Sequence, residues 1–435
     1  KDVSNVKEQS YTRSSAPIDL AQNGIILGVN KSRDVETPIH FGKEDRVRHM
    51  YVICQTGTGK TVFLRNMIIQ DIKNGDGCCY IDPHGTDIQE ILANIPPERS
   101  KDVIYFDPSY IERPMGLNML EYDRNFPEQK TFVVNELLGI FNQLFDMKAT
   151  GGPGFEQYFR NATMLVMEHP ESGNTLLEIS KVFSDKDFRD YKLSKCKNPL
   201  LLQFWQNAEK TTGDQGLSNW TQYVNSKFDV FMSNDIMRPI IAQEKSAFNF
   251  REIMDTKKIF LVNLSKGRLG DINSNLLGLI LIGKISQAAM SRVNMLGKEP
   301  VNDFYLYIDE FYNFTTPAIS SILSEARKYR LSLTVVHQYI AQLTEDIKGA
   351  VFGNVGSMAI FRISADDAKY LESKFSPTFT ASDIMKIDNY HAYVSLLANG
   401  TPKKPFDIDV LPPEKGDVTK IDALKELSYL TYGRP

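Results

Sequence analysis

A short stretch near the start of the chain has the residue types and spacing of a phosphate-binding loop. The apolar run 51–53 is typical of a strand, the turn after it contains Gly57 and Gly59, and Lys60 begins a segment with apolar residues at helical spacing. Backbone N–H groups in such a loop, with a helix N-terminus behind them, form a concave anion site. The spacing therefore predicts a P-loop that binds a nucleoside triphosphate.

Each residue of this loop has a predicted role. Lys60 would reach the β- and γ-phosphates of ATP, and the Thr61 hydroxyl would ligate Mg²⁺. The residues expected to surround the phosphates are Gln55, Thr56, Gly57, Thr58, Gly59, Lys60 and Thr61. Cys54 stands where the usual pattern has its first glycine, so either the backbone there does not need glycine or nucleotide binding is weaker. We expect the former; the alternative for the whole segment is a chance match to a degenerate motif.

Two adjacent carboxylates follow an apolar run much later in the chain. Residues 304–308 are all apolar, and Asp309 and Glu310 come directly after them. Such a run predicts a strand in the centre of a sheet, which delivers both carboxylates to its carboxyl edge beside the P-loop. Asp309 would hold Mg²⁺ and Glu310 would polarise the attacking water. The alternative is a strand that ends in two solvent-facing acids.

A glutamine and an arginine complete the set of residues with predicted chemistry. Another apolar strand, 331–336, ends at His337 and Gln338, and a polar side chain at that strand tip can sense a phosphate or orient water. Phosphoryl transfer also needs positive charge at the transition state, which an arginine can supply from a neighbouring subunit. The helix predicted over 318–329 ends in the basic residues Arg327, Lys328 and Arg330, of which an arginine is available for this role, although basic residues at a helix C-terminus also simply complement its dipole.

The elements that position these residues alternate between strand and helix. Short strands at 77–82 and 102–107 and a helix at 87–95 follow the P-loop helix, which predicts an α/β fold with a mostly parallel central sheet flanked by helices. Between 126 and 250 the pattern is almost entirely helical, and we interpret it as an all-α insertion domain. Residues 17–125 and 251–435 would form the nucleotide-binding motor domain, and the polar residues 1–16 a flexible lead-in.

Composition limits the possible partners and surroundings. The 435 residues are 42% hydrophobic and 24% charged with a net charge of −4, so any contact with DNA must come from a local basic surface. The segment 181–197 carries six basic residues against three aspartates, but a solvated helix face is the favoured interpretation. The four cysteines have no metal-binding or disulfide spacing, which suits a reducing cytoplasm. The first residue is Lys rather than Met, from which we expect a fragment or a processed chain.

Several motifs together resemble a known family of motor ATPases. They are 48–53 with the P-loop 55–61, the Tyr-Ile-Asp-Pro-His-Gly segment 80–85, the segment 323–333, Val-His-Gln at 336–338 and Phe-Gly-Asn-Val-Gly at 352–356. The chain is similar over roughly residues 24 to 396 to the HerA/FtsK superfamily of DNA-translocating ATPases. Within that superfamily it most resembles the coupling proteins of conjugation and type IV secretion, which are TraG/TraD-like.

The resemblance implies a RecA-like P-loop NTPase that forms a ring of six subunits, with ATP between neighbours and DNA in the central channel. Lys60 and Thr61 match the Walker A residues, and Asp309 and Glu310 match the Walker B pair. Gln338 matches the family's motif glutamine, and Arg327 best matches the arginine that acts on the neighbour's nucleotide. The resemblance also implies relaxase or secretion-channel partners and a place in the cytoplasm or at the cytoplasmic face of the membrane, attached only through an anchor absent from these residues.

Two other functions remain open at the level of sequence. One is a HerA-like motor that processes DNA ends with a nuclease; it shares the 82–84 turn but normally has a β-barrel before the motor, for which about 50 residues are too few. The other is an adaptor that binds ATP, scarcely hydrolyses it, and grips a protein cargo with its helical insertion. Glu310 and Arg327 count against the adaptor, whereas Cys54 and the slightly acidic charge leave it open.

Overall fold

The computed structural model describes residues 11–298 and 300–435. In this part of the chain the strands are β1 (Ile25–Ser32), β2 (Val35–Phe41), β3 (Met50–Ile53), β4 (Gly77–Asp82), β5 (Val103–Phe106), β6 (Ile259–Asn263), β7 (Phe304–Ile308), β8 (Leu331–His337), β9 (Ser357–Ile360), β10 (His391–Ser395), β11 (Leu397–Ala398), β12 (Thr401–Pro402) and β13 (Phe406–Val410). All but the β11–β12 hairpin lie in one sheet, in the order β2-β1-β13-β10-β9-β3-β8-β7-β4-β6-β5.

The sheet has a parallel part and an antiparallel part. From β9 to β5 every described neighbouring pair is parallel, whereas β10, β13, β1 and β2 join through antiparallel pairs. The central strands β3, β4, β7 and β8 are buried at every residue, as expected where helices cover both faces of a parallel sheet. The prediction of an α/β fold with a mostly parallel central sheet is confirmed.

The helices of the described residues surround this sheet and also form a separate group. They are α1 (Lys43–Arg46), α2 (Lys60–Lys73), α3 (Thr86–Ala93), α4 (Gln129–Phe145), α5 (Met147–Thr150), α6 (Gly152–Glu168), α7 (Leu176–Ser184), α8 (Lys186–Lys195), α9 (Pro199–Met232), α10 (Arg238–Ile241), α11 (Phe250–Asp255), α12 (Lys266–Leu269), α13 (Asp271–Met290), α14 (Pro317–Glu325), α15 (Glu345–Asn354), α16 (Ala365–Phe375), α17 (Ala381–Met385) and α18 (Ile421–Tyr432).

Helices α4 to α11 follow one another between β5 and β6 without an intervening strand in the sheet. Helix α9 has 34 residues, and it is interrupted at Gly213, whose φ of 64° and ψ of 172° are not helical. An aromatic core joins these helices; Phe141 of α4, for example, meets Phe159 and Phe228 from α6 and α9. The proposed domain boundaries at residues 126 and 250 remain a prediction.

Helix α13 links the helical group to the sheet. Residues 276–289 of this helix are all buried, and α4 packs against it. By length and composition the segment Asp271–Met295 could span a membrane, but 89% of its most apolar window is buried inside the protein. Its apolar character is therefore that of a core helix.

The start of the described chain is held against the antiparallel strands. The Tyr11 hydroxyl lies 2.7 Å from Nδ1 of His391 in β10, and the backbone N–H of Ser14 donates to Asp407 in β13 at 2.6 Å. Tyr11 is 7% exposed. Residues 11–16 are thus packed, in contrast to the flexible lead-in expected from their polar sequence, while residues 1–10 of that lead-in lie outside the described residues.

Candidate active site

Three neighbouring parallel strands bring the predicted residues to one edge of the sheet. The loop 54–59 follows β3, Gln338 follows β8, and Asp309 and Glu310 follow β7; these strands lie side by side. Because the carboxyl ends of parallel strands face the same way, all of these residues except the buried Thr58 border one cleft of about 440 Å³. This is the size of a small-molecule binding site.

The loop after β3 has a backbone conformation that requires its glycines. Gly57 and Gly59 have φ values of 80° and 120°, which residues with a Cβ rarely adopt. A Cβ on Gly59 would also lie only 3.1 Å from Cα of Tyr390. The Thr58 hydroxyl closes the turn by donating to the carbonyl of Gln55 at 2.8 Å, and α2 begins at Lys60. The loop is therefore shaped as a turn that leads directly into a helix N-terminus.

Cys54 fits this loop without a glycine. It is 1% exposed, it lies outside the positive-φ region, and its N–H donates to the carbonyl of His337 at 3.3 Å as a continuation of the strand pairing. The backbone at this position does not need glycine, as we expected. Burial raises the pKa of the Cys54 thiol to about 12, so the side chain is a neutral part of the core.

Lys60 is ion-paired with the two carboxylates. Its Nζ lies 2.7 Å from Oδ1 of Asp309 and 3.4 Å from Oε1 of Glu310. Burial by itself lowers the pKa of Lys60, but the interactions with Asp309 and with other nearby groups, Glu310 among them, together more than offset this, and the pKa lies above its ordinary value. Lys60 therefore stays positively charged. Its contacts bring one cationic side chain and two carboxylates together in a small volume.

Gln338 connects the loop to the carboxylates. Its Nε2 donates to Oε1 of Glu310 at 2.8 Å, and its Oε1 accepts a hydrogen bond from the Thr56 hydroxyl at 3.2 Å. Glu310 is 7% exposed and has a φ of 48°, a left-handed conformation that costs a residue with a Cβ roughly 1–3 kcal/mol. The surrounding structure therefore imposes a strained backbone at Glu310, and the hydrogen bond from Gln338 fixes its carboxylate at the edge of the cleft.

Arg327 lies elsewhere in the subunit. It is exposed in the turn Ala326–Tyr329, which precedes β8 and thus sits at the amino edge of the parallel strands. The seven residues of β8 span roughly 23 Å, so Arg327 is far from Lys60 of its own chain. The nearby Arg330 is engaged by Glu44 and Asp303. Within one chain, the structure therefore does not bring Arg327 to the cleft.

Other side chains line the cleft without having been among the predicted site residues. Asp82 and His84 belong to a turn that the family resemblance had singled out, and Asp87 follows them. Burial raises the pKa of Asp82 to about 6, with a contribution from the charge of Asp87, while backbone N–H donors oppose the shift. Tyr390 also borders the cleft, and nothing in its sequence surroundings pointed to it.

Arg65 is the remaining cationic group of the cleft. It lies four residues after Thr61, on the same face of α2, and its Nε is buried without a hydrogen-bond partner among the described residues. A buried cationic donor without a partner is unfavourable unless an acceptor is supplied from outside the chain. Its position one helical turn after Thr61 was the sequence signal that could have identified Arg65 as a residue of the cleft.

These residues fit a nucleoside triphosphate with Mg²⁺. The loop 55–61 presents a helix N-terminus, Lys60 and the unpartnered Arg65 supply positive charge, and Thr61 and Asp309 supply oxygen ligands of the kind that Mg²⁺ prefers. The Lys60–Asp309 pair must separate before Lys60 can contact a phosphate and Asp309 a metal ion.

Several basic side chains of the segment 181–197 make ion pairs and hydrogen bonds within the protein. Arg189 is buried and ion-paired with Glu209 and Asp214, and Lys186 also pairs with Glu209. Lys192 is buried, and its Nζ donates to three backbone carbonyls at 2.7 to 2.9 Å. These contacts disfavour the segment as a DNA surface, but Arg189 and Lys192 are buried and are not part of the solvated helix face that we expected.

Comparison with known proteins finds one matching family model and several similar structures. Residues 303–385 match the family model described as the TraM recognition site of TraD and TraG. The unbound bacterial conjugative coupling protein TrwBdeltaN70 is similar in structure at 16% identity, with a TM-score of 0.65 and coverage of 92% of this chain and 91% of that one. VirB4 of Thermoanaerobacter pseudethanolicus is similar at 14% identity and a TM-score of 0.58, covering 90% of this chain and 97% of that one. No curated protein sequence matches.

The chain has the P-loop NTPase fold that TrwB and VirB4 share. The sequence match over residues 303–385, which include Asp309, Glu310 and Gln338, adds a more specific relation. Together they confirm the resemblance to the TraG/TraD-like conjugative coupling ATPases.

Proposed function

We propose that this chain is the subunit of an ATP-driven motor that translocates DNA in conjugation or type IV secretion. The observation that carries the proposal is the contact of Lys60, Asp309, Glu310 and Gln338, delivered by three adjacent strands to one cleft beside the glycine loop. A phosphate-binding loop alone fits any nucleotide-binding protein. A buried carboxylate fixed next to it is what hydrolysis requires in addition.

The proposed roles follow from the geometry. Residues 55–61 hold the phosphates of ATP, and Thr61 and Asp309 hold Mg²⁺. Bound ATP would supply the phosphoryl group that is transferred to water. Bound Mg²⁺ would neutralise part of the negative charge of the phosphates. Glu310 acts as general base toward water, and Gln338, which donates to Glu310, orients that carboxylate. TrwB has been solved with a non-hydrolysable ATP analogue and with ADP and Mg²⁺, which supports the same ligands here.

Arg327 is proposed to act on the nucleotide of a neighbouring subunit. It is exposed and lies at the opposite edge of the sheet from its own cleft, so it is available to another chain but not to its own Lys60. A heterologous contact of this kind, repeated around an axis, generates a ring. We therefore propose a ring, with six subunits as the family resemblance implies.

The proposed partners are DNA and proteins of the transfer machinery. The description of the matched family model, the TraM recognition site of TraD and TraG, supports a partner from the relaxosome, and a relaxase or a channel protein is a further candidate. The four described cysteines are free and buried, which suits the cytoplasm or the cytoplasmic face of the membrane. We also propose that the helices between residues 126 and 250 form a separate insertion domain.

The adaptor function is the main alternative. It is disfavoured by Glu310, which the structure holds in a strained conformation with a hydrogen-bonded carboxylate in the cleft. A protein that only bound ATP would not need this arrangement. In the end-processing alternative a β-barrel precedes the motor, whereas β1 and β2 here extend the motor sheet, in which β1 pairs with β13, and so are not strands of a separate barrel.

Translocation can be tested with a DNA duplex that carries a bound triplex-forming strand. The wild-type chain with ATP should displace that strand, and the Glu310→Gln variant should bind the DNA without displacing it. Affinity for DNA should also fall steeply as salt rises, because phosphate contacts release counterions. ATP binding with scarcely any hydrolysis, and without DNA affinity at low salt, would contradict the motor and favour the adaptor.

A further inference from the structure

The loop 386–390 reaches the cleft from the antiparallel part of the sheet. It ends at Tyr390, whose backbone N–H donates to the carbonyl of Thr58 in the P-loop at 2.7 Å. The carbonyl of Tyr390 in turn accepts from the N–H of Val410 in β13 at 2.9 Å. Tyr390 is thereby fixed on both sides, with a φ of 64° that residues with a Cβ adopt only when their surroundings impose it.

A second set of contacts holds the same loop to the P-loop. The guanidinium of Arg362 donates to the carbonyl of Ile387 at 3.1 Å and to Oδ1 of Asn389 at 2.8 Å. The backbone carbonyl of Arg362 accepts from the N–H of Gln55 at 2.9 Å. The position of Tyr390 relative to residues 55–59 is thus built into the fold by contacts from three segments.

The side chain of Tyr390 is free although its backbone is fixed. It is 54% exposed, it lines the cleft, and in the described part of the chain its ring contacts no other aromatic ring and its hydroxyl no hydrogen-bond partner. Its Cδ1 lies 3.2 Å from the position that a Cβ on Gly59 would occupy. Tyr370, which is equally exposed, differs because its ring packs on Phe352 outside the cleft.

We propose that the ring of Tyr390 is the stacking surface for the base of the bound nucleotide. The inference rests on the proposed function, since it assumes that the phosphates occupy the loop 55–61. A nucleotide held there carries its base out of the phosphate loop toward the lip of the cleft, where the free aromatic face lies beside Gly59. Stacking on an aromatic ring uses the π-face that every base has, so it strengthens binding of a nucleoside without reading its identity.

The experiment compares two ligands that differ only in the nucleoside: ADP and inorganic pyrophosphate, each with Mg²⁺, titrated calorimetrically. Tyr390→Ala should raise the Kd for ADP by roughly 5- to 150-fold, the range of base–aromatic stacking. The same variant should leave the Kd for pyrophosphate unchanged. Tyr390→Phe should behave as the wild type toward both ligands, since it keeps the ring. Tyr370→Ala is the matched control, and it should change neither Kd.

Three results would overturn the inference. ADP affinity that is unchanged in Tyr390→Ala would show that the ring contacts no base. Equal losses for ADP and pyrophosphate would show that Tyr390 only supports the P-loop through Gly59. A wild-type chain that binds no ADP would overturn the proposed function together with this inference. Thermal unfolding of each variant, compared with the wild type, identifies any loss that comes from misfolding.

Discussion

At the scale of single residues, two carboxylates contact Lys60, and the side chains around Lys60 are hydrogen-bonded to one another. Lys60 is bonded to Asp309, and Gln338 is bonded to Glu310 and Thr56. The proposed roles of Lys60 and Asp309 require the bond between them to be exchanged for bonds to ligand, whereas the bond from Gln338 to Glu310 is kept. The roles can therefore be separated by variants that preserve the shape of the site and change one property.

Glu310→Gln should separate hydrolysis from binding. The amide oxygen can still accept the hydrogen bond from Gln338, but it cannot remove a proton from water. We expect kcat for ATP hydrolysis to fall by about 10²- to 10⁴-fold, the usual contribution of a general base, while the Kd for ADP stays near that of the wild type. Steady-state kinetics and calorimetry measure the two quantities. A variant with wild-type kcat would remove Glu310 from the mechanism.

Arg65→Gln should weaken binding of the phosphate chain itself. A charge-assisted hydrogen bond contributes about 1.5–3 kcal/mol, so the Kd values for ADP and for pyrophosphate should both rise by roughly 10- to 100-fold. The matched control is Arg124→Gln, which removes an exposed arginine paired with Glu171 outside the cleft. Equal affinities for wild type and Arg65→Gln would show that Arg65 does not meet the ligand.

At the scale of secondary-structure elements, α4 of the helical group contacts the segment that follows the two carboxylates. The Thr316 hydroxyl donates to Oε1 of Glu136 at 3.0 Å, and both residues are buried. Burial raises the pKa of Glu136 from its ordinary value of 4.5 to about 7, although the bond from Thr316 opposes the shift. The folded protein therefore binds a proton at Glu136 more tightly than the unfolded chain does.

This shift predicts how stability depends on pH. The contribution of Glu136 is fully present below pH 4.5 and is lost as pH rises through 7, because the folded state then keeps an unfavourable buried charge. Glu136→Gln should remove about 2–3 kcal/mol of the fall in unfolding free energy between pH 5 and pH 8. Urea denaturation at several pH values measures it, with the exposed Glu90→Gln as control. Parallel pH profiles for wild type and Glu136→Gln would contradict the assignment.

Much of the sheet was readable from the sequence, but three of its strands were not. Strands β3, β4 and β7 are nearly continuous apolar runs because they are buried on both faces, and such runs are visible locally. The strands β9, β10 and β13 were missed because they are short and their pairing joins distant segments. In β13 the polar Asp407 is fully buried, where it accepts from Ser14 and pairs with Arg13.

The contrast between local strand patterns and pairing of distant segments also explains which site residues were predicted from the sequence. Lys60, Asp309, Glu310 and Gln338 each end or follow a buried strand, so their meeting at one edge follows from the order of parallel strands. Tyr390 reaches the cleft only through β10 and β13, and no local pattern predicts that approach. Cys54 looked like a defect of the motif, yet its backbone continues the strand, so the position accommodates a side chain.

At the scale of the whole molecule, the position of Arg327 makes a single subunit insufficient for the proposed chemistry. Arg327→Ala and Lys60→Ala should each be inactive alone, one through the missing arginine and the other through the missing phosphate contact. Co-expressed chains should recover ATP hydrolysis at about a quarter of the interfaces, where an intact cleft meets an intact arginine from the next chain. Mixed assemblies without activity would show that Arg327 does not act across the interface.

The most direct test of the whole account is the rate of ATP hydrolysis with and without DNA for the wild type, Lys60→Ala and Glu310→Gln. We predict that DNA stimulates the wild-type rate, that Lys60→Ala loses both ATP binding and hydrolysis, and that Glu310→Gln binds ATP but does not hydrolyse it in either condition. Turnover near the wild-type rate in both variants, independent of DNA, would contradict the assignment of this cleft as the active site of a DNA motor.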